Sequence, residues 1–493
     1  MSSSLADPLS NTDIAVTPMT IGGKPTLSVD GTTIDAVNPA TGVTIGRFPS
    51  STAADVDNAV AAGRDAFALW KHTTPDERAA ALHALADVIA ANAEELATLD
   101  VADNGSPIQR MRHDVVMAVE QLRYYAGLVH EVTGRTVPGA ADRVNYSLRQ
   151  PYGLIARIIP FNHPFMFASS KLAAPLAAGN TVIIKPSEHT SLSALRLGEL
   201  TRGLLPDGVV NVVTGYGAEA GDAIVRHPQI RRLAFIGAAD TGRAIQAAAA
   251  SVNVKHVTLE LGGKNPLVIF DDADLDQAVT GAVRGMNFTW QGQSCGSTSR
   301  LLVQRSIYPE LLERLTAAVN ALRQGEPDDE STDTGALVNR DQYEKVQRYI
   351  AIGKQDGARL ITGGNPLTDG PFANGFFVAP TVFADVDPHS RLAQEEVFGP
   401  ILAVMPFDDY DDALEIANGV RYGLTASVFT TDLRKAHRFA RDVEAGYVWV
   451  NEVSVHINGT EFGGVKDSGL GREEGVEELL SYTQAKNIHV NFG

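Results

Sequence analysis

From about residue 150 the sequence alternates. Short apolar runs, GLIARIIP, TVIIKP, GVVNVV and RLAFIG, are separated by helical stretches such as SLSALRLGELTRGLL and TGRAIQAAAASV. No other feature constrains the fold as strongly. Strand, helix, strand in repetition spells βαβ units, and such units build a parallel sheet covered by helices. A second series begins near residue 265, with NPLVIF, RLLVQ, ILAVMPF, ASVFT and YVWVN as its strands. Two α/β domains are therefore expected. A chain of 493 residues is too long for one hydrophobic core. No repeat of solenoid period is present. No low-complexity linker cuts the chain, so the domains should interleave.

Residues 52–100 read as helix. Val56, Val60, Gly63, Phe67 and Trp70 are spaced as one face of an amphipathic helix, and Thr52 is a suitable N-cap. A second helix should follow through DERAAALHALADVIAANAEELATL. At the other end, Ile488, Val490 and Phe492 alternate in NIHVNF. A lone terminal strand needs a sheet to join, and one supplied by another subunit would serve.

The N-terminus, MSSSLADPLSNTDIAV, has no basic patch followed by an apolar run. It reads as a disordered polar tail over residues 1 to about 15 rather than a signal peptide. No uncharged run is long enough to span a membrane. The net charge of −18 argues against nucleic acid and anionic membrane surfaces as partners. A single cysteine forms no internal disulfide, which fits the reducing cytoplasm.

That cysteine, Cys295, sits in TWQGQSCGST. A packing cysteine belongs in an apolar run. This one lies among small polar residues, where a thiol could reach a ligand. FIGAADTG (235–242) ends a strand and opens a helix, with Gly237 and Gly242 five apart. It is either a phosphate-binding turn or an ordinary strand–helix turn, for it is not G-x-G-x-x-G. Lys185 and Glu188 in VIIKPSEHT follow a buried strand, where α/β proteins bind ligands. The lysine could meet ribose or phosphate oxygens, and the carboxylate could accept from ribose hydroxyls. The other reading is a solvated loop. Glu260 in LELGGKNP lies between leucines, which should raise its pKa and suit a general base, or it only caps or pairs. Asn162 in PFNHP is a turn residue whose amide could donate to an oxyanion. QEEVFGP, with Glu396 and Phe398, is a loop by composition.

Together these segments closely resemble the NAD(P)-dependent aldehyde dehydrogenase superfamily from about residue 30 onward. The resemblance rests on PFNHP, KLAAPLAAGNTVIIKPSE, FIGAADTG, LELGGKNP, QGQSCG, EEVFGP and FGGVKDSGLGRE, in the family's order. It implies two Rossmann-like α/β domains and a small β oligomerisation arm. The NAD-binding domain would comprise 1–128 and 151–259, the catalytic domain 260–473, and the arm 129–150 and 474–493. A homo-oligomer, dimer or tetramer, follows from the arm. Cys295 takes the nucleophile's position. Its thiolate would attack the aldehyde, with Asn162 and the Cys295 N–H stabilising the oxyanion, and hydride would pass to NAD. Glu260 would activate water against the thioester. Lys171 and Glu473 match positions that carry protons or orient Glu260. Ile158, Pro160, Phe161, Leu261, Gly237 and Gly242 would line the cofactor site, with Phe398 near the nicotinamide and Glu396 on its ribose. Lys185 and Glu188 would hold the adenosine ribose, and Glu188 would repel a 2′-phosphate, so NAD should be preferred over NADP. No metal is implied.

The chain departs from the family pattern in three places. Phe161 stands where tryptophan usually precedes the asparagine. Ala238 replaces the usual hydroxyl residue of the phosphate turn, and Glu461 the usual proline. The substrate tunnel would be lined by Phe167, Ser170, Thr289, Trp290, Ser294, Gly296, His456 and Phe462. Ser170 replaces a common bulky aromatic, so a bulky or aromatic aldehyde is expected. The alternative is a semialdehyde or polar aldehyde held by Ser170, His163 or His456, although no arginine stands out as a carboxylate clamp. Further alternatives are a CoA-acylating enzyme, which would not need Glu260, an inactive scaffold, and a cysteine hydrolase, for which no histidine base is identifiable.

Overall fold

The apolar spacing over 52–100 resolves into three helices, Ala53–Trp70, Pro75–Ala91 and Ala93–Asn104. These come from a computed structural model that describes residues 14–493, so all but the last two residues of the expected disordered tail lie outside it. Val56, Val60, Gly63 and Trp70 are buried, Phe67 is half-buried, and Ala59 and Ala66 complete the face. Thr52 opens the first helix, its backbone N–H donating to the Asp55 carboxylate at 2.8 Å. The second helix does not run on as expected. At Asn92 the side-chain amide donates back to the Val88 carbonyl at 2.7 Å, ending one helix before the next begins.

The first sheet has eight strands in the spatial order Lys24–Thr26, Met19–Ile21, Val210–Val212, Thr181–Lys185, Leu154–Ile158, Arg232–Gly237, His256–Leu261 and Gly469–Leu470. Its five central strands are parallel. Leu154–Ile158 and Thr181–Lys185 are buried throughout, as a sheet with both faces covered requires. From Leu154–Ile158 the chain builds outward to one side, then returns to add Arg232–Gly237 and His256–Leu261 on the other. The strand order reverses between Leu154–Ile158 and Arg232–Gly237. A crevice at the carboxyl ends of those two strands is where open α/β sheets bind ligands.

The second sheet has seven strands in the order Arg359–Thr362, Thr381–Ala384, Ile401–Phe407, Arg300–Gln304, Pro266–Ile269, Thr425–Phe429 and Tyr447–Val450. All its pairs are parallel except the first. All five strands expected from the second apolar series are present. Arg359–Thr362 and Thr381–Ala384 were not anticipated.

Only residues 262–265 join Leu261, the last residue of a first-sheet strand, to Pro266, the first of a second-sheet strand. The carboxyl edge of one sheet therefore faces the amino edge of the other. The expected boundary at 259/260 falls within a strand. His256–Leu261 crosses it, pairing along its whole length with Arg232–Gly237. Gly469–Leu470, from beyond the second sheet, pairs back onto Leu259 and Glu260.

The terminal strand finds its partner in its own chain. Thr483–Asn491 pairs antiparallel with Arg143–Pro151, which also pairs with Thr136–Val137. The expectation of a strand from another subunit is not needed. The partner lies some 340 residues away in sequence, and no local pattern could reveal it.

Candidate active site

The seam between the two sheets gathers the chemistry. Asn162 lies in the turn between the strand Leu154–Ile158 and the helix Pro164–Ala177, on the first sheet's carboxyl edge. Cys295 precedes Arg300–Gln304 on the second sheet's amino edge. Asn265, in the four-residue join, donates its amide to the carbonyls of Cys295 at 2.7 Å and Ser297 at 3.0 Å. The cysteine loop is thereby pinned to the seam. Gln291 (φ 53°) and Gly292 (φ 67°) are both left-handed on its approach. At Gly292 a side chain would collide with the Gly399 carbonyl.

Cys295 is half-buried and is the only cysteine. Burial pushes its thiol up to about 12, and the nearby charges of Glu396 and Glu260 act in the same direction. Asn162 is buried, and its Oδ1 has no partner among the described residues. Asn104 holds the same turn by donating to the Phe161 carbonyl at 2.6 Å.

Glu260 is the penultimate residue of its strand and is buried, with neither carboxyl oxygen hydrogen-bonded among the described residues. Gly463 and Gly469 are among its neighbours. A Cβ on Gly463 would lie 2.8 Å from its Oε1. Burial raises the Glu260 pKa well above the usual carboxylate value, and the charge of Glu473 adds to the shift. Glu473 shifts the other way. Although burial opposes its charge, Lys171 at 2.8 Å and Arg157 at 2.9 Å hold it down to about 2. Two carboxylates are thus driven apart, one toward the neutral form and one kept charged.

Most of the cofactor candidates lie along the carboxyl edge of the first sheet. Ile158 and Gly237 end their strands, and Pro160 and Phe161 follow Ile158. The helix Ala239–Ala250 opens at Ala238 with no side-chain cap, leaving its first N–H groups for a ligand. Leu261 packs so closely on Gly242 that a Cβ there would meet it at 2.6 Å. Lys185 ends its strand, buried, with Nζ donating to the Pro186 carbonyl at 2.9 Å and 3.6 Å from Glu188. Glu396 accepts the Gly263 N–H at 2.9 Å. The Phe398 ring meets Phe161 edge-on at 5.6 Å. An uncapped helix start, close-packed glycines and a cation–carboxylate pair along one sheet edge fit a dinucleotide's phosphate and ribose groups.

The substrate candidates fall into two clusters. In one, His163 lies 5.5 Å from both Phe167 and Trp290, with its Nδ1 2.7 Å from Asp114. In the other, His456 lies 4.9 Å from Phe462 and 3.0 Å from Glu474. Lys171 stands 5.8 Å from the Phe167 ring. Ser170 is buried, with its hydroxyl unpartnered among the described residues. Thr289 and Ser294 are half-buried in the segment leading to Cys295, and a Cβ on Gly296 would meet only Ser294. Among the described residues no ring of one cluster pairs with a ring of the other.

The structure adds residues that sequence reasoning passed over. Arg157 is fully buried and binds Glu473, Glu478 and the Tyr482 hydroxyl, while Tyr125 donates to Glu478. An arginine inside the apolar run LIARI was the available signal. Arg110, the third residue of the helix Ile108–Gly127, lays its guanidinium 5.2 Å from the Trp290 ring. Gln342 donates to the Val397 and Phe398 carbonyls and so holds the Glu396 loop. Neither Arg110 nor Gln342 had a sequence signal.

Two mostly parallel sheets joined by four residues, with a strand-order reversal in one and a lone thiol leading into a strand of the other, define an α/β protein with the groups of an oxidoreductase gathered at the join. A sequence model of the aldehyde dehydrogenase family matches residues 27–488. The aldehyde dehydrogenase tropH of Talaromyces stipitatus is 44% identical over 466 residues, covering 93% of this chain and 90% of that one. The crystal structure of PnpE from Pseudomonas sp. WBC-3 superposes with a TM-score of 0.94 at 42% identity, covering 96% of this chain and 97% of that one. An NAD+ complex of aldehyde dehydrogenase from Bacillus cereus gives 0.94 at 40% identity, with 97% and 96% coverage. The chain belongs to the aldehyde dehydrogenase family. No helix among the described residues is long and apolar enough to cross a membrane.

Proposed function

We propose that this protein oxidises a bulky or aromatic aldehyde to its carboxylic acid with NAD, through a covalent adduct on Cys295. One observation carries the reading: Asn162 and Glu260 lie at the carboxyl edge of the first sheet, and Cys295 leads into the amino edge of the second, pinned by Asn265 of the four-residue join. The first sheet would bind the cofactor and the second would supply the nucleophile. Relatives in this family have been solved with NAD. NAD, when bound, supplies the hydride acceptor and a positively charged ring.

Cys295 gives its proton to water, and its sulfur adds to the carbonyl carbon as the C=O electron pair moves onto oxygen, forming the thiohemiacetal in its alkoxide form. The negative charge on oxygen meets the Asn162 amide and the Cys295 backbone N–H. After oxidation Cys295 carries a thioester. Glu260 takes a proton from water as its oxygen attacks that thioester, the C–S bond breaks, and the acid leaves. The raised pKa of Glu260 makes it the stronger base of the two carboxylates. Glu473, held at about 2, stays ionised near neutrality. Its role is therefore to bias Glu260 by charge, with Lys171 and Arg157 as counterions, rather than to carry protons. A panel of aromatic, aliphatic and acidic aldehydes assayed by NADH absorbance tests the reading. No NADH formation above background with any of them would reject it.

The preference for NAD should rest on Glu188. Glu188→Ala is expected to bring the NAD:NADP ratio of kcat/KM down by about tenfold or more, one carboxylate–phosphate repulsion being removed. An unchanged ratio assigns the preference elsewhere.

A homo-oligomer in the cytoplasm is part of the same proposal. The three-stranded sheet leaves Val137, Val144 and Leu148 exposed, with Phe492 exposed just past its last strand, apolar area that a second copy would cover. Introducing lysine at both Val144 and Leu148 is expected to lower the mass seen by light scattering, toward the monomer of 52.5 kDa. An unaltered mass places the interface on another surface.

A further inference from the structure

The mechanism above makes no use of His456 and Glu474. Glu474 has φ 67°, a left-handed conformation that strains any side chain and suits glycine. Its backbone is fixed there: the N–H donates to Glu478 at 2.9 Å, and the carbonyl accepts the Gly459 N–H at 3.0 Å. From that position its carboxylate meets His456 Nδ1 at 3.0 Å.

The imidazole is framed on its faces and edges. Tyr447 stacks on it at 6.0 Å, Trp449 lies edge-on at 6.0 Å, and Phe462 packs at 4.9 Å. Phe462 in turn exchanges both backbone hydrogen bonds with Glu473, which fixes this cluster beside the Lys171–Glu473 pair. The charges acting on His456 are Glu474, which favours the imidazolium, and Lys171, which opposes it. Burial also opposes it, but Glu474 prevails and the pKa is raised. Nε2 has no partner among the described residues, and the side chain keeps 30% exposure, so a ligand can reach it.

We propose that Glu474 is a positioning residue that holds His456 as a donor, its Nε2–H directed to an acceptor oxygen on the substrate at the end remote from the aldehyde. His456 thereby selects aromatic aldehydes that carry such an oxygen over unsubstituted ones. This rests on the aldehyde-oxidising reading above. The chemistry follows from tautomers. With Nδ1–H donating to Glu474, a neutral ring presents only a lone pair at Nε2, and the imidazolium alone offers an N–H there. The ion pair is close to neutral as a unit, so the acceptor need not be an anion. A hydroxyl, an ether oxygen or a carboxylate offers the same lone pair.

The test compares kcat/KM for benzaldehyde, 4-methoxybenzaldehyde and 4-carboxybenzaldehyde, using the ratio of each substituted aldehyde to benzaldehyde. That ratio is expected to fall about tenfold or more in His456→Phe and in Glu474→Gly, through KM rather than kcat. Glu474→Gly relieves the left-handed strain, so its melting temperature should not fall, and a lost preference then has no folding explanation. In Glu474→Gln the KM for the substituted aldehydes should begin to rise at a lower pH than in the parent, because the imidazolium has lost its counterion. A greater loss for the carboxylate identifies an anionic acceptor and equal losses a neutral one, and both support the proposal. Ratios unchanged in His456→Phe, or a pH profile unmoved in Glu474→Gln, overturn it. A parent enzyme that oxidises none of the three but does oxidise aliphatic aldehydes overturns the aromatic-substrate reading on which this proposal rests instead.

Discussion

Cys295→Ala is expected to lower kcat for aldehyde oxidation by about 10⁴-fold or more, while NAD binding changes by less than about twofold. The sulfur is the only group at the seam able to form a carbon–sulfur bond, and no other cysteine exists to replace it. The cofactor candidates, in contrast, are placed by strand ends and a helix start on the other sheet, which the substitution does not touch. NADH absorbance gives the first quantity and calorimetric titration the second. Residual turnover within tenfold of the parent would remove Cys295 from the mechanism. Burial and two neighbouring carboxylates push the thiol up to about 12, so without cofactor it is held in the protonated form at neutral pH. Reaction of the free enzyme with iodoacetamide should accordingly be slow at neutral pH and accelerate as the pH rises.

The second large effect belongs to Glu260. Glu260→Gln keeps the shape of the side chain and removes its ability to accept a proton. A first burst of NADH, one per active site, is expected to survive while steady turnover falls by about 10²- to 10⁴-fold. In the parent, kcat should rise with pH as Glu260 ionises, above the usual carboxylate value of 4.5 because its pKa is raised. In the variant that rise should be lost. Stopped-flow absorbance separates the phases. A missing burst would mean that Glu260 also accepts the thiol's proton before oxidation, which the high pKa of Cys295 makes chemically reasonable.

Most of the parallel strands were legible because a strand covered on both faces must be apolar along its whole length, and runs such as TVIIK show this directly. His256–Leu261 escaped the same reading because it carries His256, Thr258 and Glu260, which interrupt its apolar run. The short strands Gly469–Leu470 and Thr381–Ala384 escaped it because so few residues carry no period. The break at Asn92 turned on one side chain competing for a backbone carbonyl, which apolar spacing does not register.

The sequence by itself determined the α/β class, the family and the identity of the chemical groups, because these depend on residue types in local order. It also showed Glu260 among leucines and hence the direction of its pKa shift. Only the tertiary structure decided what each group faces. Glu473 became a fixed charge because Lys171 and Arg157 converge on it from two other elements, and Glu474 became His456's partner across a loop. Charge interactions and hydrogen bonds act through distances of a few ångströms in space, and separation along the chain carries no record of them.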